Sequence, residues 1–154
     1  MRTEVSRTFP IPLKKGFDYI DDFRLWPDWY TGITKIVEPE TGTWMEPGDS
    51  VKFHYRMLGR RMDGVLTLDE RLPGELVRMH SEILGLPNVH FDYHYKSTGP
   101  EAFTLKIVME VDEEQPVAFF GKVLDKLLLP RTLERDLKHS LDHLEEIFIA
   151  DLFG

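Results

Sequence analysis

From residue 33 to about residue 112 the chain alternates apolar and polar side chains with period two, the spacing of half-buried β-strands. Strands are predicted at 33–38, 50–58, 61–70, 75–84, 88–97 and 102–112. The breaks between them carry turn chemistry: Glu46-Pro47-Gly48-Asp49, Leu58-Gly59-Arg60, Leu72-Pro73-Gly74, Gly85-Leu86-Pro87 and Thr98-Gly99-Pro100. Connections this short join antiparallel neighbours, because parallel strands need a crossover of a dozen or more residues. A further strand is predicted at 3–9, ahead of the meander.

The alternation predicts registers. In strand 50–58, Val51, Phe53, Tyr55 and Met57 share one face, and Lys52, His54 and Arg56 share the other. A loop at Gly59-Arg60 sets Met57 opposite Met62, Phe53 opposite Leu66 and Arg56 opposite Asp63. A loop at Gly85-Leu86-Pro87 sets Ser81 opposite Phe91, Met79 opposite Tyr93 and Val77 opposite Tyr95. On the reverse face this pairs Glu82 with His90, His80 with Asp92 and Arg78 with His94. The last hairpin sets Tyr95 opposite Phe103, Phe91 opposite Ile107 and Asp92 opposite Lys106. A slip of one residue would move every apolar side chain to the wrong face.

A sheet with one apolar face needs a cover. Leu133, Leu137, Leu141, Leu144 and Phe148 recur at helical spacing and supply one. Upstream, residues 117–129 are apolar around nearly the whole circumference, and Pro130 predicts a kink or break between the two halves. Lys122, Asp125 and Lys126 favour burial of that segment over membrane contact. Between the first strand and the meander, a short amphipathic helix is predicted over 13–22 and a second helical or turn segment over 24–30, ended by Gly32. Residues 1–154 are thus predicted to form one α+β domain: a curved seven-stranded antiparallel sheet wrapped on a long C-terminal helix kinked near Pro130.

The formal net charge of −8 disfavours nucleic-acid binding, which needs clustered Lys and Arg to neutralise phosphates. The absence of cysteine excludes disulfides, thiolate metal sites and cysteine nucleophiles. The first residues lack the apolar core of a secretory signal, and no apolar run approaches the ~20 residues that span a bilayer. The expectation is a cytoplasmic protein without stable membrane insertion, with a homo-oligomer compatible with the sequence.

The order of elements resembles the START-like, polyketide cyclase/dehydrase and lipid-transport superfamily, whose fold is the helix grip. The resemblance rests on Phe9-Pro10-Ile11-Pro12 followed by Phe17-Asp18-Tyr19-Ile20, on Trp26-Pro27-Asp28-Trp29, on Asp63-Gly64, and on the Leu-rich helix between Val123 and Leu144. It implies an enclosed cavity between sheet and helix but does not choose a chemistry. The residues agree: Phe53, Tyr55, Met57, Leu66, Met79, Phe91, Tyr93, Tyr95, Phe103 and Ile107 fall on the apolar face. With Trp29 from the short helices and Phe120 and Leu124 from the upstream segment, they are the expected cavity lining. Tyrosine brings a hydrogen-bonding tip on an apolar body, and methionine adapts to irregular shapes.

The expected function is binding or transport of a small hydrophobic molecule that is lipid-, polyketide- or isoprenoid-like. Alternatives are a cyclase- or dehydratase-like enzyme using the same cavity, and a protein-interaction module with the cavity closed. No catalytic residue, cofactor or metal is predicted. His90 and His94 project the same way but stand about 13 Å apart at roughly 3.3 Å per residue, too far for one ion. A site from His80, His90 and Asp92 is geometrically conceivable, yet each has a cross-strand partner, which predicts a solvated charged face. The apolar face offers no titratable group beyond tyrosine. His139 and His143 lie on the polar side of the last helix; rotated inward, one would be the best candidate base. Trp44 is expected at a hairpin rim.

Overall fold

The computed structural model describes residues 1–39, 43–112, 118–119, 122–123 and 128–153. Strand β1 (Arg2–Phe9) leads into helix α1 (Leu13–Asp21), a 3-10 turn at Phe23–Leu25 and helix α2 (Trp26–Trp29). Six strands follow: β2 (Ile33–Pro39), β3 (Ser50–Met57), β4 (Arg60–Leu72), β5 (Leu76–Ile83), β6 (Val89–Gly99) and β7 (Ala102–Val111). A two-stranded ladder, β8 (Ala118–Phe119) with β9 (Lys122–Val123), precedes the terminal helix α3 (Leu128–Phe153). The main sheet has seven antiparallel strands in the order β1-β7-β6-β5-β4-β3-β2, so β1 closes the meander against its last strand.

The predicted faces hold, and the predicted registers shift. On β3, Tyr55 pairs with Met62, Phe53 with Gly64 and His54 with Asp63, two residues from the expected match. The turn lies at Leu58 and Gly59, both at positive φ (52° and 78°), the pattern of a type I′ hairpin. On β5 and β6, Ser81 pairs with Val89, Met79 with Phe91, Val77 with Tyr93 and His80 with His90, again two residues away. There a turn closed by Leu86 N–H on the Ile83 carbonyl lengthens the connection. In the last hairpin Tyr95 pairs with Leu105 and Phe91 with Met109, because an irregularity between Ser97 and Gly99 absorbs residues that a tight turn would not. An even slip leaves every side chain on its predicted face.

The C-terminal helix is described from Leu128 onward, with Pro130 in the first described turn. Residues 118–119 and 122–123 are strand rather than helix. The downstream stripe behaves as its spacing predicts: Leu137, Leu141, Leu144 and Phe148 are buried. Phe148 meets Phe9 edge-on at a centroid separation of 5.2 Å, and Phe9 lies 5.3 Å from Phe103. Arg7 of β1 reaches both Asp142 and Glu145 of α3 at 2.8 Å, tying helix to sheet edge. This end of the grip is solid core.

Leu58 is a leucine in a conformation that costs most L-residues roughly 1–2 kcal/mol, and its side chain is largely solvated. Leu58→Asn, the favoured residue for the first position of this turn, is expected to stabilise the protein by about 0.5–1 kcal/mol. A urea midpoint that failed to rise would mean the turn is not the I′ type described.

Candidate ligand cavity

Toward the N-terminal end of α3 the sheet and helix separate. A cavity of about 60 Å³ lies between them. Strand alternation builds its floor: Phe53 and Tyr55 from β3, Leu66 from β4, Met79 and Ser81 from β5, and Phe91, Tyr93 and Tyr95 from β6. Leu129 and Leu133 of α3 cover one side. Ile20 and Asp21 from α1 and Trp26 and Trp29 from α2 close another, with Tyr30 just beyond. The short helices are held in place locally, since the Trp26 indole donates to the Ile20 carbonyl at 2.9 Å and Trp26 packs edge-on against Trp44 at 5.2 Å. Trp44 is therefore buried core and not a rim residue.

The chain turns into β2 at Gly32, whose φ of +104° favours glycine and whose missing side chain is what admits Tyr55. A Cβ there would stand 2.5 Å from the Tyr55 ring. Tyr55 crosses the cavity wall and donates its hydroxyl to Asp136 Oδ2 at 3.2 Å. Asp136 belongs to a buried polar row on α3, with Thr132 and Ser140 four residues to either side. Ser140 Oγ donates to the Asp136 carbonyl and accepts from the Thr31 backbone N–H, both at 2.7 Å. This row fastens the α2–β2 corner to the helix.

Burial pushes the Tyr30, Tyr55, Tyr93 and Tyr95 hydroxyls above their ordinary range, so all four stay neutral donors. Asp21 is the carboxylate that lines the cavity among the described residues. Arg71 of β4 donates to its Oδ2 from Nε at 3.0 Å and from Nη2 at 2.9 Å. Burial nevertheless outweighs that attraction and raises the Asp21 pKa. The Trp44 indole stands beside the same carboxyl without a well-aligned hydrogen bond.

Of the side chains expected to line a cavity, Trp29, Phe53, Tyr55, Leu66, Met79, Phe91, Tyr93 and Tyr95 surround this one. Met57, Phe103 and Ile107 are buried but are not among the described residues that line it; Phe103 belongs to the solid end with Phe9 and Phe148. Phe120 and Leu124 lie outside the described residues. His139 and His143 are exposed on α3 and do not turn inward, although His143 Nδ1 comes within 3.3 Å of the Trp29 carbonyl. Tyr30, in the short segment over 24–30, and Ser81, which strand parity puts on the apolar face, also line the cavity. Asp21 is the polar lining residue that the sequence does not single out, because it ends a helix too short for periodicity to orient.

The sequence matches the family model for polyketide cyclase / dehydrase and lipid transport over residues 1–148. The chain belongs to that family. No curated protein matches the sequence. Solved structures share the fold at low identity. An aromatase/cyclase, Zhui, from Streptomyces sp. R1128 superposes with a TM-score of 0.77 at 13% identity, covering 99% of this chain and 95% of that one. A START superfamily protein from Mycobacterium smegmatis gives 0.76 at 10% identity, covering 97% of each chain. The helix-grip architecture is thus shared with START and aromatase/cyclase structures across essentially the full length.

Asp136 provides a pH-dependent check on the α3 row. Burial, the largest influence, raises its pKa above the ordinary 3.8, while Tyr55, Arg135 and His139 pull it partly back. A raised folded value means the native state holds this proton more tightly than the unfolded chain. Its stability contribution is complete below 3.8 and is lost as pH climbs through the folded value. Asp136→Asn is therefore expected to gain stability relative to the parent as pH rises from about 3 to about 7. Urea denaturation across that range measures the difference; a flat difference would show that the wall does not shift this carboxyl, and a falling one that it stabilises the anion.

Proposed function

We propose that the protein binds a small hydrophobic ligand, lipid-, polyketide- or isoprenoid-like, in the cavity between β3–β6 and the start of α3. The supporting observation is the wall itself: apolar and aromatic side chains with a few neutral tyrosine hydroxyls, the composition of a small-molecule site. Trp29 adds a buried indole N–H with no partner among the described residues, a donor that a ligand oxygen would satisfy. Leaving such a group unpaired costs about 1–3 kcal/mol. The cavity's 60 Å³ is well below the ~300–1,000 Å³ of sites for drug-sized ligands. A compact ring or short acyl group fits as it stands, and a polycyclic guest requires Met79 and Leu86 to move. The unbranched thioether of Met79 makes that inexpensive.

A second function, cyclase-like turnover of the bound molecule, is favoured by Asp21. A carboxyl with a raised pKa on the cavity wall, near the buried Tyr95 hydroxyl, is the type of group that moves protons in an apolar site. Asp21→Asn separates the two functions: carriage is expected to persist in that variant and turnover to be lost.

Native mass spectrometry of protein purified from the expression host, with displacement of the fluorescent probe 1-anilinonaphthalene-8-sulfonate by small phenols and acyl chains, tests the binding. A retained apolar mass or saturable displacement is expected. Ser81→Leu, which fills the floor between Leu66 and Val89, should weaken displacement at least about tenfold, or 1.4 kcal/mol, with the fold retained by circular dichroism. No retained mass and no effect of Ser81→Leu would leave the cavity as packing defect only.

A further inference from the structure

The outer face of the sheet, away from the cavity, carries a second cluster. A β-bulge between Leu68 and Glu70 makes Asp69 an extra residue in β4. Asp69 and Glu70 consequently both stand on the outer face, against His80 and Arg78, while Arg71 turns inward to Asp21. On the next two strands His80 and His90 are direct cross-strand partners, with ring centroids 5.7 Å apart. Sequence alternation alone predicts Asp92 opposite His80; the shift of two residues is what brings the imidazoles together.

Two carboxylates converge on His80. Both Asp69 oxygens lie 2.8–2.9 Å from Nδ1, and Glu82 Oε1 lies 3.3 Å from Nε2. A neutral imidazole has one N–H, so it can donate to only one of them. The other nitrogen then points a lone pair at an anion, which is favourable only with additional positive charge between them. A metal ion would supply that charge and would also use His90.

We propose that Asp69, His80 and His90 form a binding site for a divalent transition metal on the convex face of the sheet. One ligand atom from each lies within 4.8 Å of the others. Ligand atoms around a tetrahedral ion with ~2.0–2.1 Å bonds sit about 3.4 Å apart, so side-chain rotation on three fixed strands closes the remaining distance. The ion takes His80 Nδ1, and Nε2–H donates to Glu82, which fixes the tautomer in the manner of carboxylate–histidine–metal arrangements. Glu110, opposite His90 on β7, or water completes the shell. Imidazole with carboxylate suits Zn²⁺, Ni²⁺ or Cu²⁺ over Mg²⁺ or Ca²⁺. The site stands independently of what the cavity holds.

Isothermal titration of the full chain with ZnCl₂, and separately with NiCl₂, tests this in a non-chelating buffer. One equivalent should bind, with affinity lowered at least about tenfold in Asp69→Asn and in His90→Ala and unchanged in His139→Ala, which removes half of the separate histidine pair on α3. His80→Arg supplies permanent charge to both carboxylates without a metal ligand, so it should keep the fold and abolish binding. The proposal is overturned if no saturable heat is seen, if His90→Ala binds as tightly as the parent, or if His139→Ala removes the binding instead.

Discussion

The aromatic inner face of the sheet has to be covered, and α3 is the element that covers it. At its C-terminal end the cover is complete, with Phe9, Phe103 and Phe148 in mutual contact and Arg7 holding the sheet edge to Asp142 and Glu145. At its N-terminal end the same helix presents Leu129 and Leu133 to a floor of aromatic residues without filling the space between. The difference arises from the short helices inserted after β1. They prop the α2–β2 corner against α3 through Thr31, Ser140 and the Tyr55–Asp136 hydrogen bond. The cavity is the gap that this propping leaves.

The faces of the sheet were legible because side-chain alternation is local, and it survives an even slip. The registers were not, because turn geometry sets them. Leu58 and Gly59 adopt positive φ, and the Ser97–Gly99 irregularity absorbs residues, features that composition alone does not assign. The apolar run before Pro130 reads as helix by content, yet residues 118–119 and 122–123 pair as strand. Apolarity around a whole circumference carries no period and so does not separate the two.

The site divided in the same way. Tyr55, Tyr93, Tyr95 and their apolar neighbours were found from strand parity. Asp21 is hidden at the end of an element of nine residues, where little periodicity accumulates. Asp136 had a usable signal. Thr132, Asp136 and Ser140 recur every four residues, immediately beside the leucine stripe, and so share a buried edge of α3. Polar residues that keep step with an apolar stripe have a buried partner to meet.

The bulge at Asp69 reverses the phase of β4 for everything beyond it. Without that residue Arg71 would point to solvent and Asp21 would keep a buried carboxyl with no cation, while His80 would lose one of its two carboxylates. One inserted position therefore serves both surfaces of the sheet, and neither can drift without the other. In a lineage of such chains, length changes in β4 would be visible to selection at the cavity and on the convex face together, whereas substitutions at either face would be judged separately.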